Sequence, residues 1–518
     1  MNLSLAAVQP SAPDVNFGIL LPELILSVAG VVVMLLDAFT RRAGQRWVTG
    51  AVSLGGLLAA GASAIVLWGG ADGPSASAWD GMIVLDPLRL SFTLVFVAVA
   101  ALTVLVSMVW VEWEGLPAGE FHTLLLFATV GMMLMAAGND LVMLFLGLEI
   151  LSIATYVMAG FRRSDVRSNE SSLKYFILGS FSSAFLLYGI ALVYGGTGTT
   201  NVTQLAMTLD NARYPPLVFA GAAMLLVGFG FKVATAPFHI WTPDVYEGAP
   251  TPVTAFMAAG PKAAGFAAFM RVFLFGFPLI AATSAPAPSG GQVHSAWLSA
   301  LVALAIITMT VGNVAALVQS NVKRMLAYSS IAHAGYALVG FVAAGAATDA
   351  AQRNEAIAAV VFYLLGYAVM NLGAFAVVTL IARGGDRRTE TEDYHGIGFT
   401  APVLAFTLSL FLLSLLGVPL TVGFMGKVLV FRSALNQGYV ALVVIGVLNT
   451  AISVYYYLRL IVVMFFRERT TGWTAPPVPA SVGLALVLTV LGVLYLGIFP
   501  GRVIDVFQAM QPTISQLK

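Results

Sequence analysis

Residues 217–271 read LVFAGAAMLLVGFGFKVATAPFHIWTPDVYEGAPTPVTAFMAAGPKAAGFAAFMR. Two apolar runs, each long enough to cross a bilayer, flank a polar, proline-rich connection that begins at Pro237. Lys232 lies near the end of the first run, and Lys262 lies in the middle of the second. A charge at bilayer depth is costly, so a membrane protein keeps it only where it faces protein or water. Two such lysines beside a helix break therefore indicate a functional region.

The composition is that of an integral membrane protein. Of the 518 residues, 59% are hydrophobic and 9% are charged, whereas soluble domains have about 25% charged residues. The net charge of +1 excludes an electrostatic nucleic-acid-binding surface. The chain has no cysteine, which excludes disulfides, iron–sulfur clusters held by thiolates and cysteine zinc sites.

Apolar segments of about 20 residues, the length that spans a bilayer, recur fourteen times along the chain. They lie near 17–38, 46–68, 88–111, 119–137, 140–160, 171–195, 215–236, 252–275, 297–318, 324–345, 355–382, 401–431, 438–466 and 478–499. The sequence therefore predicts an all-α integral membrane protein with about 14 transmembrane helices and no soluble domain. Two insertions, 69–82 and 281–296, are the most loop-like parts between these segments.

The first segment is expected to be a retained helix. No lysine or arginine precedes Arg41, so the basic region that opens a cleavable signal peptide is missing. Because Glu23 and Asp37 lie within residues 17–39, this helix is expected to pack against protein on one side.

The basic residues predict the orientation in the membrane. Connections with odd numbers contain Arg41, Arg42, Arg46, Arg162, Arg163, Arg167, Arg383, Arg387, Arg388, Arg467 and Arg469. Connections with even numbers contain only scattered cases such as Arg213 and Arg353. The odd connections are therefore expected in the cytoplasm, which places both termini on the periplasmic or outer side of the cell membrane.

A weak internal repeat is visible in two spacings. Gly138-Asn139 leads to Glu149 eleven residues after the glycine, and Gly312-Asn313 leads to Lys323 at the same interval. Both start a segment of the same rank, the fifth and the tenth. The seventh and twelfth segments are each broken by a proline. A shift of five segments inverts the second copy relative to the first, and paired broken segments in an inverted repeat mark ion pathways in transporters.

Proline also suggests how Lys232 is held. Pro237 follows Lys232 by five residues, and Pro419 precedes Lys427. Since proline frees a backbone carbonyl one turn back, the carbonyl freed by Pro237 can bond a lysine or an ordered water. The alternative for Lys232 is that it extends to the membrane interface from its helix end.

Extension to the membrane interface does not readily explain a charge in the middle of an apolar segment. Lys262 and Lys427 lie within their segments, and a lysine removed from water can exchange a proton near neutral pH, which an exposed lysine cannot. Glu149 is either a structural carboxylate satisfied by a neighbouring helix or a group that titrates and tunes a nearby lysine. His239 and His333 could relay protons between lysines or could simply be hydrogen-bonded.

Four further charged residues lie near segment ends. Lys323 is a candidate for proton translocation, although extension to the interface explains both Lys323 and Arg324 equally well. Asp244 and Glu247 lie in the connection after the seventh segment and are weaker candidates. The chain has no Walker loop, no dinucleotide-binding glycine motif and no histidine–methionine pair in a context that indicates haem binding. It offers protonatable groups in a membrane and no group that moves electrons.

Two motifs, FKVATAPFHIWTPDVYEGAPTPVTAF and NVKRMLAYSSIAHAGYALVG, resemble the antiporter-like subunits of the proton-pumping NADH:quinone oxidoreductase, respiratory complex I. The resemblance covers about residues 17–500. Within the family, the TPDVYEGAPTPV form resembles the subunit N branch, and Lys427 favours it over subunit M, which usually has a glutamate there. The lack of a long C-terminal lateral helix speaks against subunit L.

The resemblance implies 14 transmembrane helices with broken helices 7 and 12. Helices 1–3 would occupy 17–111, and two inverted five-helix repeats would occupy 119–275 (helices 4–8) and 297–466 (helices 9–13), with helix 14 at 478–499. It also implies a hydrated polar axis at mid-membrane. By position, this axis would contain Glu149, Lys232, Lys262, Lys427 and His333, with His239 and Lys323 as further candidates for proton translocation.

Quinone reduction elsewhere in the complex would drive protons along this axis. The resemblance implies that FMN, iron–sulfur clusters and quinone belong to other subunits, and that the partners are further membrane subunits, antiporter-like ones included. Two alternatives remain open: a subunit of a multisubunit sodium/proton antiporter or membrane-bound hydrogenase, and a structural membrane subunit whose charges only pair. The type of quinone does not follow from the sequence.

Overall fold

The computed structural model describes residues 15–39, 46–69, 76–278, 289–469 and 477–508. Within these ranges, 13 helices are long and apolar enough to cross a membrane. A fourteenth crossing is a broken helix built from two shorter pieces, Pro402–Leu416 and Val422–Asn436. The prediction of an all-α membrane protein with about 14 spans is therefore confirmed. Arg41 and Arg42 lie outside the described residues.

The helices follow one another with short connections. Their bounds are α1 Leu21–Phe39, α2 Arg46–Trp68, α3 Pro87–Trp113, α4 Ala118–Ala137, α5 Leu141–Ala159, α6 Val166–Thr197, α7 Val202–Thr208, α8 Pro215–Lys232, α9 Thr242–Gly248, α10 Thr251–Met270, α11 Ser289–Leu317, α12 Val322–Ala346, α13 Ala350–Ala382, α14 Ile397–Thr400, α15 Pro402–Leu416, α16 Val422–Asn436, α17 Val440–Phe466, α18 Ala480–Ile498 and α19 Gly501–Gln508. A π-helical turn, Arg271–Gly276, extends α10. Short 3-10 turns lie at Phe17–Leu20, Leu209–Asn211 and Thr391–Tyr394.

Polar caps set several helix starts. The side chains of Asp86, Asp140, Asp165 and Asn321 each accept a hydrogen bond from a backbone N–H in the first turn of α3, α5, α6 and α12. These N–H groups have no partner within the helix, so a side-chain acceptor stabilises the helix end.

Both predicted helix breaks are present, with shifted bounds. In the seventh span α8 ends at Lys232, earlier than the predicted 236, and the chain runs irregularly past Pro237 to α9. In the twelfth span α15 ends at Leu416, and α16 starts at Val422 after Pro419. Irregular backbone at membrane depth is tolerated where protein covers it, so both breaks leave backbone groups available inside the bundle.

The connections meet on two faces, which we call the even face and the odd face after their connection numbers. On the even face, a small hairpin pairs β1 (Ala76–Ala78) with β2 (Ile83–Leu85). Part of the insertion 69–82, predicted as a loop, therefore forms a strand and a turn. Residues 281–288 of the other insertion lie outside the described residues, whereas α11 begins at Ser289, so 289–296 are helical instead of loop.

Matched backbone contacts support the repeat. The N–H of Leu141 donates to Thr200 O and that of Val202 to Asn139 O on the even face. In the second half, the N–H of Val322 donates to Thr389 O and that of Thr391 to Ser320 O, on the odd face. Helices α5 and α12 therefore start in equivalent registers, Leu141 matching Val322.

The spacing argument for the repeat used the wrong register. Gly312 and Asn313 lie inside α11, whereas Gly138 and Asn139 lie between α4 and α5. With Leu141 matched to Val322, Glu149 is equivalent to Ser330 and not to Lys323. The equal spacing was a coincidence between common residue types. The helix ends set the register, and that spacing could not place them.

The first span packs as expected. Glu23 is buried and forms an ion pair with Arg89 of α3, with the carboxylate 2.8 Å from the guanidinium. Close helix packing continues between α4 and α5, where a side chain at Gly131 would lie 2.6 Å from the backbone nitrogen of Leu151. Small residues let helices approach closely in lipid, and here they fix α5, the helix that contains Glu149.

Candidate functional site

Lys262 lies at the centre of α10, in a span whose apolar window is wholly buried. Its Nζ donates to the carbonyl oxygen of Ser330 at 2.5 Å and to the Ser330 hydroxyl. The same Nζ lies 5.5 Å from the ring centre of Tyr367, at cation–π distance. All these contacts are to α12 and α13, so Lys262 points from α10 toward the tenth and eleventh spans.

His333 lies one turn beyond Ser330 on α12 and is buried. Its Nδ1 is 2.7 Å from the hydroxyl of Tyr363, and its Nε2 is 3.3 Å from that of Tyr457. Tyr457 also hydrogen-bonds Ser329. Since each hydroxyl can donate or accept, the histidine can exchange its proton with either neighbour.

Lys427 is buried on α16 and uses the broken helix. Its Nζ donates to the carbonyls of Leu415 at 3.2 Å and Leu416 at 2.8 Å. The Leu415 carbonyl lies four residues before Pro419, where proline supplies no N–H. The ammonium also lies 4.8 Å from the ring centre of Tyr336, whose hydroxyl accepts from Asn313 Nδ2 at 3.1 Å.

Lys232 is the last residue of α8 and is 5% exposed. Its Nζ donates to the Ser152 hydroxyl at 2.8 Å. The acceptor for Lys232 is therefore a side chain of α5 and not a carbonyl freed by Pro237, because α8 ends before that proline. A lysine that donates to a carbonyl one turn before a proline is found instead at Lys427. Extension to the interface is also excluded by the inward bond.

Glu149 is half-buried on α5 and accepts a hydrogen bond of 2.5 Å from the Ser183 hydroxyl of α6. Ser183 lines a small cavity together with Ser152 and Lys232. Among the ion pairs of the described residues, none joins Glu149 to Lys232. Lys232 and its acceptor Ser152 therefore line the cavity directly, whereas Glu149 is connected to the cavity wall through Ser183.

Lys323 is not part of this axis. It is buried at the odd-face end of α12, where its Nζ donates to Ala249 O at 2.6 Å and lies 3.2 Å from Asp386. Asp386 also pairs with Arg162 at 3.0 Å and accepts from the backbone N–H and hydroxyl of Thr251. Burial raises the pKa of the Asp386 carboxyl, but Lys323 and Arg162 outweigh it and hold the pKa below its usual range.

The remaining weak candidates also lie apart from the axis of buried lysines. Arg324 pairs with Asp244 at 2.7 Å and Glu247 at 2.8 Å, and all three are partly exposed near the odd face. His239 is half-buried, and its buried Nδ1 has no hydrogen-bond partner in the part of the chain that the structure describes. The structure does not bring His239 into contact with the buried lysines.

Sequence reasoning missed the hydroxyl groups that connect the charges. Ser152, Ser183 and Ser330 hold Glu149 and two of the lysines. Six further polar residues complete the set around His333 and Lys427: Asn313, Tyr336, Tyr363, Tyr367, Tyr456 and Tyr457. The run YYY at 455–457 was a possible signal, since three tyrosines in one apolar helix place at least one toward the protein interior.

Two buried polar atoms of α13, the Tyr367 hydroxyl and the Asn371 Nδ2, have no hydrogen-bond partner within the described residues. Buried polar atoms are nearly always satisfied, commonly by ordered water. The amines, hydroxyls and imidazole inside the helix bundle are groups that can exchange protons with one another.

Comparison with known proteins identifies the family. The sequence model of the transmembrane region of NADH:quinone oxidoreductase and Mrp antiporters matches residues 138–453. The chain is similar to a solved chain of respiratory complex I from Thermus thermophilus, with 36% identity, a TM-score of 0.75, and coverage of 93% of this chain and 98% of that one. This protein therefore belongs to the antiporter-like membrane subunits.

Within that class, the particular family is NADH-quinone oxidoreductase subunit N. The chain is 46% identical over 496 residues to subunit N of Trichlorobacter lovleyi, covering 95% of this chain and 96% of that protein. It is 44% identical over 487 residues to a subunit N of Solibacter usitatus. A chain of an Mrp complex from Dietzia, at 20% identity and a TM-score of 0.81, shares the fold.

Proposed function

We propose that this chain translocates protons as the N subunit of a proton-pumping NADH:quinone oxidoreductase. One observation supports this most directly: Lys232, Lys262 and Lys427 are buried, and no carboxylate lies within ion-pair distance of them in the described residues. A subunit whose charges only pair would show counter-ions at these positions. Instead the ammonium groups contact neutral oxygens, which leaves them able to release a proton.

The contacts support an order for the transfer. Lys232 lines the cavity that Glu149 reaches through Ser183, and Lys262 reaches Ser330 of α12. His333 with its tyrosines follows, and Lys427 in the second repeat comes last. Lys323 and His239, which lie apart from this series, are not included. Quinone reduction elsewhere in the complex supplies the driving force.

A subunit of a sodium/proton antiporter or membrane-bound hydrogenase is the alternative function. The matching family model covers both NADH:quinone oxidoreductases and Mrp antiporters. An archaeal membrane-bound sulfane sulfur reductase also contains a similar chain, with 25% identity and a TM-score of 0.82. The higher identities, over nearly the whole chain, favour complex I. We expect copurification with other membrane subunits, and we assign FMN, iron–sulfur clusters and quinone to them.

The orientation follows from the arginine-rich odd connections. We expect the odd face in the cytoplasm and both termini on the periplasmic or outer side of the inner membrane. A reporter that is active only in the cytoplasm should give no signal when fused after Lys518, and a strong signal when inserted in the connection at Gly384-Gly385. The reverse pattern would contradict the orientation.

Replacing Lys427 by alanine tests the proposed function. Removing the amine leaves the carbonyls of Leu415 and Leu416 without their donor but removes no counter-ion, so the complex should assemble. Proton translocation in NADH-driven vesicles, normalised to assembled complex, should fall by about tenfold or more, as for loss of a proton-transferring group. Measurement in sodium-free and sodium-containing buffer separates the two candidate functions.

Arg432→Ala is the matched control, because Arg432 lies on the same helix and forms an exposed pair with Glu355. It should pump normally. Near-normal pumping by Lys427→Ala would contradict the proposed route. Pumping that depends on sodium would favour the antiporter function.

A further inference from the structure

The connection after α13 inserts one carboxylate, that of Asp386, into the odd-face end of the bundle. Gly384, Gly385 and Asp386 all have left-handed backbone, with φ of 80°, 80° and 51°. Glycine adopts this conformation without steric cost, and aspartate tolerates it better than most residues. The N–H of Gly385 donates to Glu114 at 3.1 Å, and its carbonyl accepts from Arg167 at 3.1 Å. The turn therefore holds the buried Asp386 in one place.

Asp386 caps α10, the helix that contains Lys262. Its Oδ2 accepts from the backbone N–H of Thr251 at 3.0 Å, and its Oδ1 accepts from the Thr251 hydroxyl at 2.8 Å. The first N–H groups of a helix have no partner within it, and Pro250, the N-cap residue of α10, provides no side-chain hydrogen bond. A residue from a distant connection therefore fixes the start of this helix.

The same carboxylate holds the start of α12. Lys323 lies 3.2 Å from Oδ2 of Asp386, the oxygen that also accepts from the N–H of Thr251. The Lys323 ammonium donates in addition to the carbonyl of Ala249, between α9 and α10, at 2.6 Å. Asp386 and Lys323 together therefore tie the first turn of α10 to the first turn of α12.

These tied ends support the central contact of the axis. At 1.5 Å per residue, Lys262 lies about 16 Å along α10 from Thr251, and Ser330 lies about 10 Å along α12 from Lys323. Lys262 donates to the carbonyl and hydroxyl oxygens of Ser330. Burial of apolar surface is non-directional, whereas the hydrogen bonds of Asp386 have a direction and a length. They therefore set the height of one helix against the other.

We propose that Asp386 is a positioning residue for proton translocation: through Thr251 and Lys323 it sets the height of α10 relative to α12, and so keeps Lys262 at Ser330. Asp386 lies at the odd face, apart from the axis, and transfers no proton itself. This inference rests on the proposed function.

The competing explanation is that Asp386 only compensates positive charge. Arg162, which lies 3.0 Å from Asp386, also lies 3.4 Å from Glu114 and 3.6 Å from Asp165, so it keeps carboxylate partners when Asp386 is replaced. Lys323 would then have no ion-pair partner among the described residues. Removing Lys323 together with Asp386 therefore restores the charge balance but leaves the two helices untied.

The test is NADH-driven proton translocation in vesicles, normalised to the amount of assembled complex. Asp386→Ala should pump about tenfold more slowly, since a misplacement of about 1 Å can cost this much or more. Lys323→Met cuts the same tie from α12 and should have a similar effect. The double variant should be no slower than the slower single variant, because the two residues form one tie.

The double variant decides between the two explanations, and it has no unpaired buried charge that would hinder assembly. If it pumps normally, charge compensation is the whole role of Asp386 and the proposal is overturned. Two effects that multiply would also overturn it, because the residues would then act separately. Glu392→Gln removes an exposed carboxylate shortly after the same connection and is the control. It should pump normally, and a tenfold loss from it would show that any change in this region has the same effect.

A second measurement asks whether Asp386 acts through the contact of Lys262 with Ser330. Asp386 and Ser330 share no hydrogen-bond partner in the ranges that the structure describes, so independent effects would multiply. If Asp386 holds Lys262 at Ser330, Asp386→Ala should cost less than about threefold in a Ser330→Ala background, because residues that act as a unit are non-additive. The full tenfold cost in that background would overturn the proposal.

The same preparations separate this inference from the function on which it rests. If Lys427→Ala pumps normally, the proton route itself is wrong, whatever the Asp386 variants do. If Lys427→Ala fails to pump while Asp386→Ala pumps normally, the route holds and only the positioning role is wrong.

Discussion

Replacing Lys262 by arginine is expected to stop NADH-driven proton translocation while the complex still assembles. Lys262 donates to both oxygens of Ser330 and lies over the ring of Tyr367. An arginine at this place keeps a positive charge and hydrogen-bond donors, but it cannot release its proton. We expect pumping per assembled complex to fall by at least about tenfold, the usual scale for losing a proton-transferring group.

Lys174→Arg is the matched control. Lys174 lies on α6 and pairs with Glu170 and Asp244, both at 2.7 Å, with 40% of its side chain exposed. An arginine there preserves the pairing, so pumping should be unchanged. Lys262→Met removes the charge as well as the releasable proton. If proton release matters, both Lys262→Met and Lys262→Arg should fail to pump. Normal pumping by Lys262→Arg would show that a fixed charge is sufficient.

Depth in the membrane was predictable from the sequence. Fourteen apolar segments, two proline breaks and the lysines beside them gave the spans and the depth of Lys262 and Lys427. These features depend on segment length and on the cost of burying a charge, both of which are local in sequence. Helix ends were less certain: α8 ends at Lys232 because the chain turns before Pro237, which no spacing rule indicated.

The rotation of each central helix about its own axis was not predictable from the sequence. The apolar windows of α10, α12 and α13 are 100%, 94% and 94% buried. A helix that is buried all round has no polar face to orient it, so periodicity cannot show which side meets which neighbour. The partners of Lys262, 68 residues or more away in the chain, therefore became visible only with the structure.

The same limit explains why the surroundings of Lys323 were not foreseen. The sequence predicted its place near a segment start but not its burial. Asp386 lies in the connection after α13, far along the chain, and pairs at the odd face with Lys323 of α12 and with Arg162. The burial of Lys323 is explained by its ion pair with Asp386. Lys262 has no carboxylate partner of this kind among the described residues.

The second large effect is expected at Glu149 and Lys232, which we infer to be coupled. Lys232, Ser152 and Ser183 line one cavity; Lys232 donates to Ser152 at 2.8 Å, and Ser183 donates to Glu149 at 2.5 Å. Within a low-dielectric site, the negative charge of Glu149 stabilises a positive charge on Lys232 without direct contact. Movement of the carboxylate would then favour proton release from the lysine.

Glu149→Ala and Lys232→Ala should each reduce proton translocation by about tenfold or more per assembled complex. The double variant should lose much less than the product of the two effects, since residues that act as a unit are non-additive. Lys232→Arg should also fail, because arginine does not release its proton.

A pair of the same residue types on the outside of the bundle provides the control. Glu170 and Lys174 lie one turn apart on α6, 2.7 Å from each other and exposed. Exposed pairs contribute little, so Glu170→Ala and Lys174→Ala should pump normally, singly and together. If the Glu149 and Lys232 variants gave effects that simply multiply, the two residues would act independently, and the shared cavity would have no role in transfer. Near-normal pumping by both alanine variants would instead remove them from the route, which would then have to enter at Lys262.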